Sequence, residues 1–212
     1  MDYKPTRSEL LAVKKKKIFA ENGHILLKKK RDGLIMSFFE VLEDAKAARL
    51  DLQENLGDAE EKLGIAVAVE GTFSVKSAAY ARQDRPDINI THKNLMGVVV
   101  PVVSASNIKK RLDQRGYGII GTSNRLDEAS KAYEELVEAI IRVAEKETIM
   151  KKLLDEIEGT RRRVNALEHK VLPELDMVET AITMRLEELE RENIFRLKRF
   201  KKLSTERAEA TA

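Results

Sequence analysis

Two long stretches of this sequence carry apolar residues at alternating steps of three and four, and this spacing restricts the possible folds more than any other feature. The first stretch covers residues 35–66 and the second covers residues 126–189. Such spacing places a narrow apolar stripe along a helix, which is typical of a coiled coil. The composition agrees, because 35% of the 212 residues are charged and only 5% are aromatic. We therefore expect paired amphipathic helices rather than one sphere around a thick core.

The apolar stripe defines a predicted seam, the set of side chains that should face the partner helix. In the first stretch only Arg49 interrupts it. In the second stretch four charged residues interrupt it, which should loosen the packing there. These four are Glu147, Arg161, Glu168 and Arg185. The seam residues on which the prediction depends are Ile35, Phe38, Leu42, Leu52, Leu56, Leu136, Ile140, Val143, Leu154, Ile157, Leu175, Val178 and Ile182.

Capping signals indicate where the two helices begin. Thr6 and Glu9 form a capping-box pattern at the start of the first helix. Without a strong stop signal, this helix is expected to run to about Tyr80, although Gly57, Gly64 and Gly71 weaken it. Ser123 or Asn124 is a suitable cap for the second helix. Pro173 lies inside the second helix and predicts a kink or a locally strained turn.

The segment between the helices has a different pattern. Residues 87–92 and 95–103 resemble two strands, joined by a two-residue turn at Lys93-Asn94. The whole chain is therefore predicted to be mainly α: a long antiparallel two-helix coiled coil with a small central region that contains a β-hairpin. The expected parts are an N-terminal coiled-coil helix (1–81), a central hairpin and loop region (82–121), a C-terminal coiled-coil helix (122–203) and a flexible tail (204–212).

Opposite charges along the two stretches suggest how the helices align, because flanking charges set orientation in coiled coils. With the first helix continued to Tyr80, basic and acidic groups fall opposite one another. The predicted pairs are Lys14–Lys17 with Glu187, Glu188 and Glu190; Lys28–Arg31 with Glu174, Asp176 and Glu179; Glu40, Glu43 and Asp44 with Arg161–Arg163; and Asp51, Glu54, Asp58, Glu60 and Glu61 with Arg142, Lys146, Lys151 and Lys152.

Two further features are candidates for contact with a partner. The apolar triplets 11–13, 18–20 and 25–27 recur every seven residues and cover a helix face too broad for a single partner helix. Basic residues from both ends of the chain are expected to form an unbalanced basic tip, although a solvated helix end is the plain alternative. The tip consists of Lys4, Arg7, Arg196, Lys198, Arg199, Lys201 and Lys202.

The motifs of common enzyme sites are weak or missing in the sequence. Residues 116–121 match G-x-G-x-x-G, but a polar run precedes them and one very long helix follows, so a hinge loop is favoured over a dinucleotide site. His24, His92 and His169 stand in separate segments, and the chain has no cysteine, which argues against a zinc site. We predict no catalytic residue, no cofactor and no metal, and no direct binding of nucleotide. No stretch is apolar enough to span a membrane, and no leader pattern is seen at the start.

Several segments together resemble the D subunit of the archaeal and vacuolar-type rotary ATPases. They are Pro5-Thr6-Arg7, the run from Gly23-His24 to Leu34, the run Arg161-Arg162-Arg163-Val164-Asn165-Ala166-Leu167-Glu168, Pro173 with Leu175, and the closing run from Glu190 to Lys198. The match keeps order and spacing over nearly the whole chain. The run that begins Arg161-Arg162-Arg163 is its most specific element.

The resemblance implies a non-catalytic central-stalk protein, the rotor shaft of an A/V-type ATP synthase. A shaft of this kind couples ATP synthesis or hydrolysis to proton or sodium translocation by rotation. The implied partners are the catalytic and non-catalytic ring subunits (A and B), the small F subunit and the C subunit, which is the socket of the membrane rotor. The implied location is peripheral, on the cytoplasmic face of the cell membrane. The basic tip and Arg161–Arg163 become the candidate partner contacts.

Two other hypotheses account for part of the pattern. A prefoldin-like coiled-coil chaperone or scaffold would explain two helices joined by a hairpin, but not the specific motifs. A coiled coil that binds nucleic acid would explain the lysine runs. Against it, the aromatic residues do not alternate with the basic ones as a stacking platform requires, and acidic residues largely neutralise the runs.

Overall fold

The computed structural model describes residues 4–81, 86–111, 115–118 and 122–209. It confirms the predicted fold class, a mainly α chain with one antiparallel β-hairpin. The chain divides into two compact units: unit 1 is Met1–Arg31 with Gly159–Ala212, and unit 2 is Asp32–Glu158. The elements are α1 (Arg7–Glu70), α2 (Thr72–Ala81), β1 (Asp87–Leu95), β2 (Val98–Ser106), α3 (Asn124–Ala166), a π-helical segment (Leu167–Val171) and α4 (Leu172–Glu209).

The ends of α1 follow from local chemistry. At its start the Glu9 N–H donates to Thr6 Oγ1 at 3.2 Å, as the capping-box pattern predicts. At its end Gly71 adopts φ +81°, a left-handed conformation that stops an α-helix and favours glycine. The helix therefore ends at Glu70 rather than near Tyr80, and residues 72–81 form the separate helix α2.

In unit 1 the N-terminal part of α1 pairs antiparallel with α4. Lys17 Nζ lies 2.6 Å from Asp176 Oδ1 and 3.2 Å from Glu179 Oε2, and Lys14 Nζ lies 3.9 Å from Glu179 Oε1. The sequence predicted that Lys14 and Lys17 pair with Glu187, Glu188 and Glu190, and these contacts show that this prediction is wrong. Glu190 instead binds Arg7.

In unit 2, α1 and α3 are also antiparallel. Asp51 Oδ2 lies 3.1 Å from Arg142 Nη2, a pair within the predicted set. Asp44 Oδ2, however, lies 2.9 Å from Lys146 Nζ instead of pairing with Arg161–Arg163. The predicted register is wrong by about ten residues because the first helix was continued to Tyr80. In fact α1 ends at Glu70, ten residues before Tyr80, and the Ser123 N–H at the start of α3 donates to the Glu70 carboxylate there. The partners of α1 on the second helix are therefore shifted by about ten residues.

The buried stripe in unit 2 lies beside part of the predicted seam. Leu153 is 0% exposed, whereas the neighbouring seam candidate Leu154 is 49% exposed. Leu34, also fully buried, packs with Leu153, Ile149 and Val100. Arg49 and Glu147 lie outside the stripe and approach each other at 3.9 Å on the surface. The stripe therefore avoids the charges that interrupted the predicted seam.

The thirteen seam candidates fall into three groups. Leu136, Val143 and Ile182 are buried. Leu56, Ile140 and Leu154 are 41%, 47% and 49% exposed. The other seven are partly buried: Ile35, Phe38, Leu42, Leu52, Ile157, Leu175 and Val178.

The π-helical segment in unit 1 lies directly before Pro173. Leu172 donates its N–H to Leu167 O, five residues earlier. Pro173 has no N–H, and its ring crowds the preceding turn of a regular helix, so a wider turn accommodates it. The locally altered turn expected at Pro173 takes this form. After it, α4 continues to Glu209, beyond residue 204 where the flexible tail was expected to begin; residues 210–212 lie outside the described residues.

The hairpin of unit 2 is longer than predicted and turns elsewhere. Its register pairs Asp87 with Ser106 and Leu95 with Val98, so the turn is Met96-Gly97 and not Lys93-Asn94. Both turn residues have positive φ, 51° and 87°, as a type I′ turn requires. The Gly97 N–H donates to Asn94 Oδ1 at 2.8 Å, which supports the turn. Leu95, Val98 and Val100 pack the hairpin on the helical cluster that contains Leu34.

Glycines inside α1 allow a first test of the packing. We expect Gly57→Ala to raise the free energy of unfolding by about 1 kcal/mol, because alanine is the better helix former and the new Cβ would have no neighbour within 4 Å. Gly33→Ala should gain less, since its Cβ would lie 2.6 Å from Met96 Cε. Urea denaturation of the full chain measures both. An equal gain in the two variants would contradict this packing.

Candidate functional site

The described residues lack a cluster of side chains suited to a metal ion. Across residues 4–81, 86–111, 115–118 and 122–209, no three His, Asp or Glu side chains are grouped so that they could hold a metal ion. Of the G-x-G-x-x-G match, Gly116, Tyr117 and Gly118 are described, and residues 119–121 lie outside the described residues.

The residues of the predicted basic tip belong to unit 1, where acidic neighbours neutralise part of their charge. Arg7 binds Glu190, and Arg196 Nη2 lies 3.2 Å from Glu192 Oε2. Lys4, Lys198 and Arg199 are exposed. Lys201 and Lys202 are exposed too, and each has an interaction within the chain. The charge of the tip is therefore smaller than the sequence suggests.

The three arginines of the run 161–163 are also exposed in unit 1. They lie between two fully or almost fully buried residues, Thr160 and Val164. The run therefore occupies the outer face of α3, with the helix fixed on either side of it. Arg162 and Arg163 each have an interaction within the chain.

Large apolar side chains are exposed on both helices of unit 1, and together they are called the exposed apolar face. On α1 it includes Phe19, which is 81% exposed, and on α4 it includes Phe195 and Phe200, each 71% exposed. Large apolar side chains exposed in this number favour a role of unit 1 in protein contact. The sequence predicted the α1 part from the apolar triplets but missed the α4 part. The sequence signal for the α4 part was the presence of Phe195 and Phe200 beside the basic residues 196–202. The other members are Leu11, Ile18, Ile25, Leu26, Met177, Met184, Leu189, Ile194, Leu197 and Leu203.

Lys17 links the two helices of unit 1 through two carboxylates. Hydrogen bonds to Asp176 and Glu179 raise the pKa of Lys17 to about 12. The lysine therefore stays charged at neutral pH, and its ion pairs favour the observed register of α1 against α4. This register determines which apolar side chains of the two helices are exposed together.

Unit 2 contains a buried polar cluster that the sequence analysis missed. Arg115 is 6% exposed, and its guanidinium lies 3.2 Å from Asp127 Oδ1 and 3.5 Å from Glu134 Oε2. The Tyr117 hydroxyl donates to Asp127 Oδ1 at 2.7 Å. Burial raises the pKa of Tyr117, so its hydroxyl remains a donor. The cluster ties the loop before α3 to the first turns of that helix.

Burial by itself lowers the pKa of Arg115, but the hydrogen bond with Tyr117 and the charge of Glu134 outweigh it, so the pKa is raised overall. Arg115 thus stays a buried cation that depends on its acidic partners. Gly116, next to it, has φ +84°, which lets the chain turn into the cluster. The glycine-rich match thus has a structural role in the loop.

None of the helices, as far as the chain is described, contains a segment both long and apolar enough to cross a membrane.

Comparison with known proteins identifies similar sequences over nearly the full chain. The profile of the family of ATP synthase D subunits matches residues 9–202. The A-type ATP synthase D subunit of Methanococcoides burtonii is 56% identical over 201 residues, which is 95% of this chain and 98% of the relative. The D subunit of Methanosarcina acetivorans is 54% identical, covering 94% of this chain and 96% of the relative. That of Haloquadratum walsbyi is 53% identical, covering 94% and 86%. These matches favour the resemblance over the chaperone, scaffold and nucleic-acid hypotheses.

Proposed function

Because the chain belongs to the family of ATP synthase D subunits, we propose that it forms the central stalk of an A-type ATP synthase. It acts as a non-catalytic rotor shaft. Rotation of the shaft couples ATP synthesis or hydrolysis in a ring of catalytic and non-catalytic subunits to proton or sodium translocation. The complex is associated with the membrane, and the shaft is peripheral to it, on the cytoplasmic face.

The exposed apolar face of unit 1 is the observation that carries this proposal. A shaft enclosed by ring subunits needs apolar side chains on several sides, and Phe19, Phe195 and Phe200 provide them on two helices. Burying large aromatic side chains contributes much of the free energy of a protein interface. The exposed cations of the basic tip, among them Lys198 and Arg199, would add contacts with acidic ring side chains. We assign the A and B subunits of the ring to this face, and the F subunit and the C subunit of the socket to the rest of the chain.

Torque transmission requires helices that do not slide past one another. In unit 1, Lys17 holds α4 through Asp176 and Glu179. In unit 2, the pairs Asp51–Arg142 and Asp44–Lys146 flank the buried stripe. Each such pair contributes little stability, but together the pairs disfavour other registers. A rotor shaft transmits torque through this fixed register of its helices and does not require a reactive side chain for that role.

Copurification tests whether the exposed face of unit 1 binds the ring. We expect the tagged full chain to recover ring subunits from native membranes. Phe195→Ala with Phe200→Ala should reduce that recovery by tenfold or more, since the loss of even one hot-spot aromatic costs about 2 kcal/mol and about 1.4 kcal/mol corresponds to a factor of ten. Phe73→Ala in unit 2, where Phe73 is 88% exposed, is the matched control and should leave ring recovery unchanged. Failure of the unmodified chain to recover ring subunits would contradict the proposal.

A rotation assay separates a rotor from a stationary component of the same complex. The sequence has no cysteine, so Lys76→Cys in the exposed part of α2 provides one attachment point on this chain. With the ring immobilised, a bead on that residue should turn when ATP is added. A bead that stays still on a complex that hydrolyses ATP would contradict the shaft role while leaving membership of the complex intact.

A further inference from the structure

The β-hairpin of unit 2 is a sheet of two strands, so each strand has one outer edge. Among the described elements, only β2 pairs with β1. The outer edge of a strand presents backbone N–H and C=O groups that can pair with a strand of another chain, and proteins usually protect such edges. The two outer edges of this hairpin differ in how far they are protected.

The register of the hairpin shows which backbone groups point outward. Because the turn has two residues, Leu95 and Val98 exchange both of their backbone hydrogen bonds, and every second pair beyond them does the same. The residues between these pairs direct their N–H and C=O groups to the outer edges. On β1 the outward residues are Ile88, Ile90, His92 and Asn94, and on β2 they are Val99, Pro101, Val103 and Ala105.

The outer edge of β2 is protected, whereas that of β1 is open. On β2, Lys152 Nζ donates to Val99 O at 3.0 Å, and Pro101 has no N–H to offer to a further strand. On β1 there is no proline, and the residues from Asp87 to Asn94 are all exposed. Two of its outward residues are large and apolar, since Ile88 is 53% exposed and Ile90 is 56% exposed. An open edge with apolar side chains favours pairing with another strand.

The residues of β1 are complementary to a second copy of the same strand. When two copies pair antiparallel around Ile90, Asp87 lies opposite the partner's Lys93, and Lys93 lies opposite the partner's Asp87. Cross-strand pairs of opposite charge stabilise a sheet. Any other two-fold register of β1 separates these charges. The charges therefore select one register, in which Ile90 lies opposite the same residue of the partner.

We propose that the outer edge of β1 is a self-association surface, through which two copies of the chain join their hairpins into one four-stranded sheet. The interface is isologous, because both copies use the same edge. Backbone hydrogen bonds from Ile88, Ile90 and His92 hold the two strands together, and the Asp87–Lys93 pairs set their register. This inference concerns the free chain, and it does not depend on the proposed function.

Disulfide crosslinking of the full chain tests the register, because the chain has no native cysteine. In the proposed sheet the two copies of residue 90 lie about 5.5 Å apart at Cα, which suits a disulfide. Residue 88 lies opposite residue 92, so its two copies are about 13 Å apart. We expect Ile90→Cys to form a disulfide-linked dimer about tenfold faster than Ile88→Cys, since only the first pair is within disulfide range. Ile88→Cys is the matched control, because the two isoleucines are similarly exposed.

Charge reversal tests the ion pairs without a crosslink. We expect light scattering during gel filtration to show that the unmodified chain becomes dimeric as its concentration rises. Asp87→Lys should raise the dissociation constant of the dimer about tenfold, because two attractive pairs become repulsive. Lys93→Asp in the same chain restores opposite charges across the interface and should restore dimer formation.

Three results would overturn the proposal. Equal crosslinking of Ile88→Cys and Ile90→Cys would contradict the two-fold register. Failure of the Asp87→Lys, Lys93→Asp chain to regain dimer formation would contradict the ion pairs. An unmodified chain that stays monomeric, with no crosslink at either residue, would rule out self-association and leave the edge to an extended segment of another protein.

Discussion

Truncation of Leu153 to alanine should lower the free energy of unfolding of unit 2 by about 2–5 kcal/mol, the usual range for a leucine that leaves a cavity in a core. Leu153 is fully buried and packs with Leu34, Ile149 and Val100, side chains from both helices and the hairpin. These neighbours belong to three different elements. Movement of any one element would therefore not close the cavity. The loss should therefore lie in the upper part of that range.

Leu154→Ala is the matched control, since it removes the same atoms from the next residue. Leu154 is 49% exposed, and its truncation should cost less than about 1 kcal/mol, as is usual for exposed sites. Urea denaturation followed by circular dichroism, with hydrogen exchange of peptides from unit 2, measures both variants. If Leu154→Ala proves as costly as Leu153→Ala, the stripe described for α3 is incorrect and the seam predicted from the sequence is restored.

This pair of leucines shows what heptad spacing can and cannot decide. Residues 136, 143 and 157 belong to the predicted seam and are also at least partly buried. Between them, either 153 or 154 can complete a spacing of threes and fours, and both are leucine. Periodicity alone therefore predicts the helix and its buried side approximately, but not which of two neighbours is central. The charged residues 147 and 161 were the available signal, because a stripe that avoids them is less costly to bury.

The predicted register of the two antiparallel helices was wrong for a different reason. The charge pairs were correctly predicted to link antiparallel helices, but their alignment depended on where the first helix ends. Gly71 is one of three glycines that weaken the helix, and only in the structure does its φ of +81° identify it as the end. The preference of glycine for such positions is known, yet Gly57 and Gly64 remain within α1.

The part of the candidate site that lies on one helix could be predicted from the residues along that helix. The apolar triplets near the start of α1 indicated a face too broad for one partner, and Ile18, Phe19, Ile25 and Leu26 are exposed there. The buried cluster of unit 2 could not be predicted in this way. Arg115 lies 12 residues from Asp127 in a loop with no periodic pattern, so nothing local to the sequence indicates that the two side chains meet.

Removal of the Glu134 charge should have the second large effect. Glu134→Ala leaves the Arg115 guanidinium buried with only part of its compensation, and breaking a buried ion pair from one side costs about 3–5 kcal/mol. The two side chains are 2% and 6% exposed, so water cannot replace the lost carboxylate. Glu134 also accepts from the Lys110 N–H at 3.4 Å, and the variant loses that contact as well. We expect earlier urea unfolding of unit 2 and faster hydrogen exchange at the start of α3.

Two comparisons test whether burial of the ion pair is the cause of the stability loss expected for Glu134→Ala. Asp51→Ala breaks an ion pair of similar length, but the two side chains are 54% and 59% exposed, so the cost should stay below about 1 kcal/mol. The double variant Arg115→Met with Glu134→Leu removes both charges and should regain most of the stability lost in Glu134→Ala, since apolar pairs often replace buried ions without loss. If the double variant is less stable than Glu134→Ala, the guanidinium holds the loop through Asp127 and Tyr117 more than through Glu134. The cluster would then stabilise the fold mainly through the hydrogen bonds of those two residues.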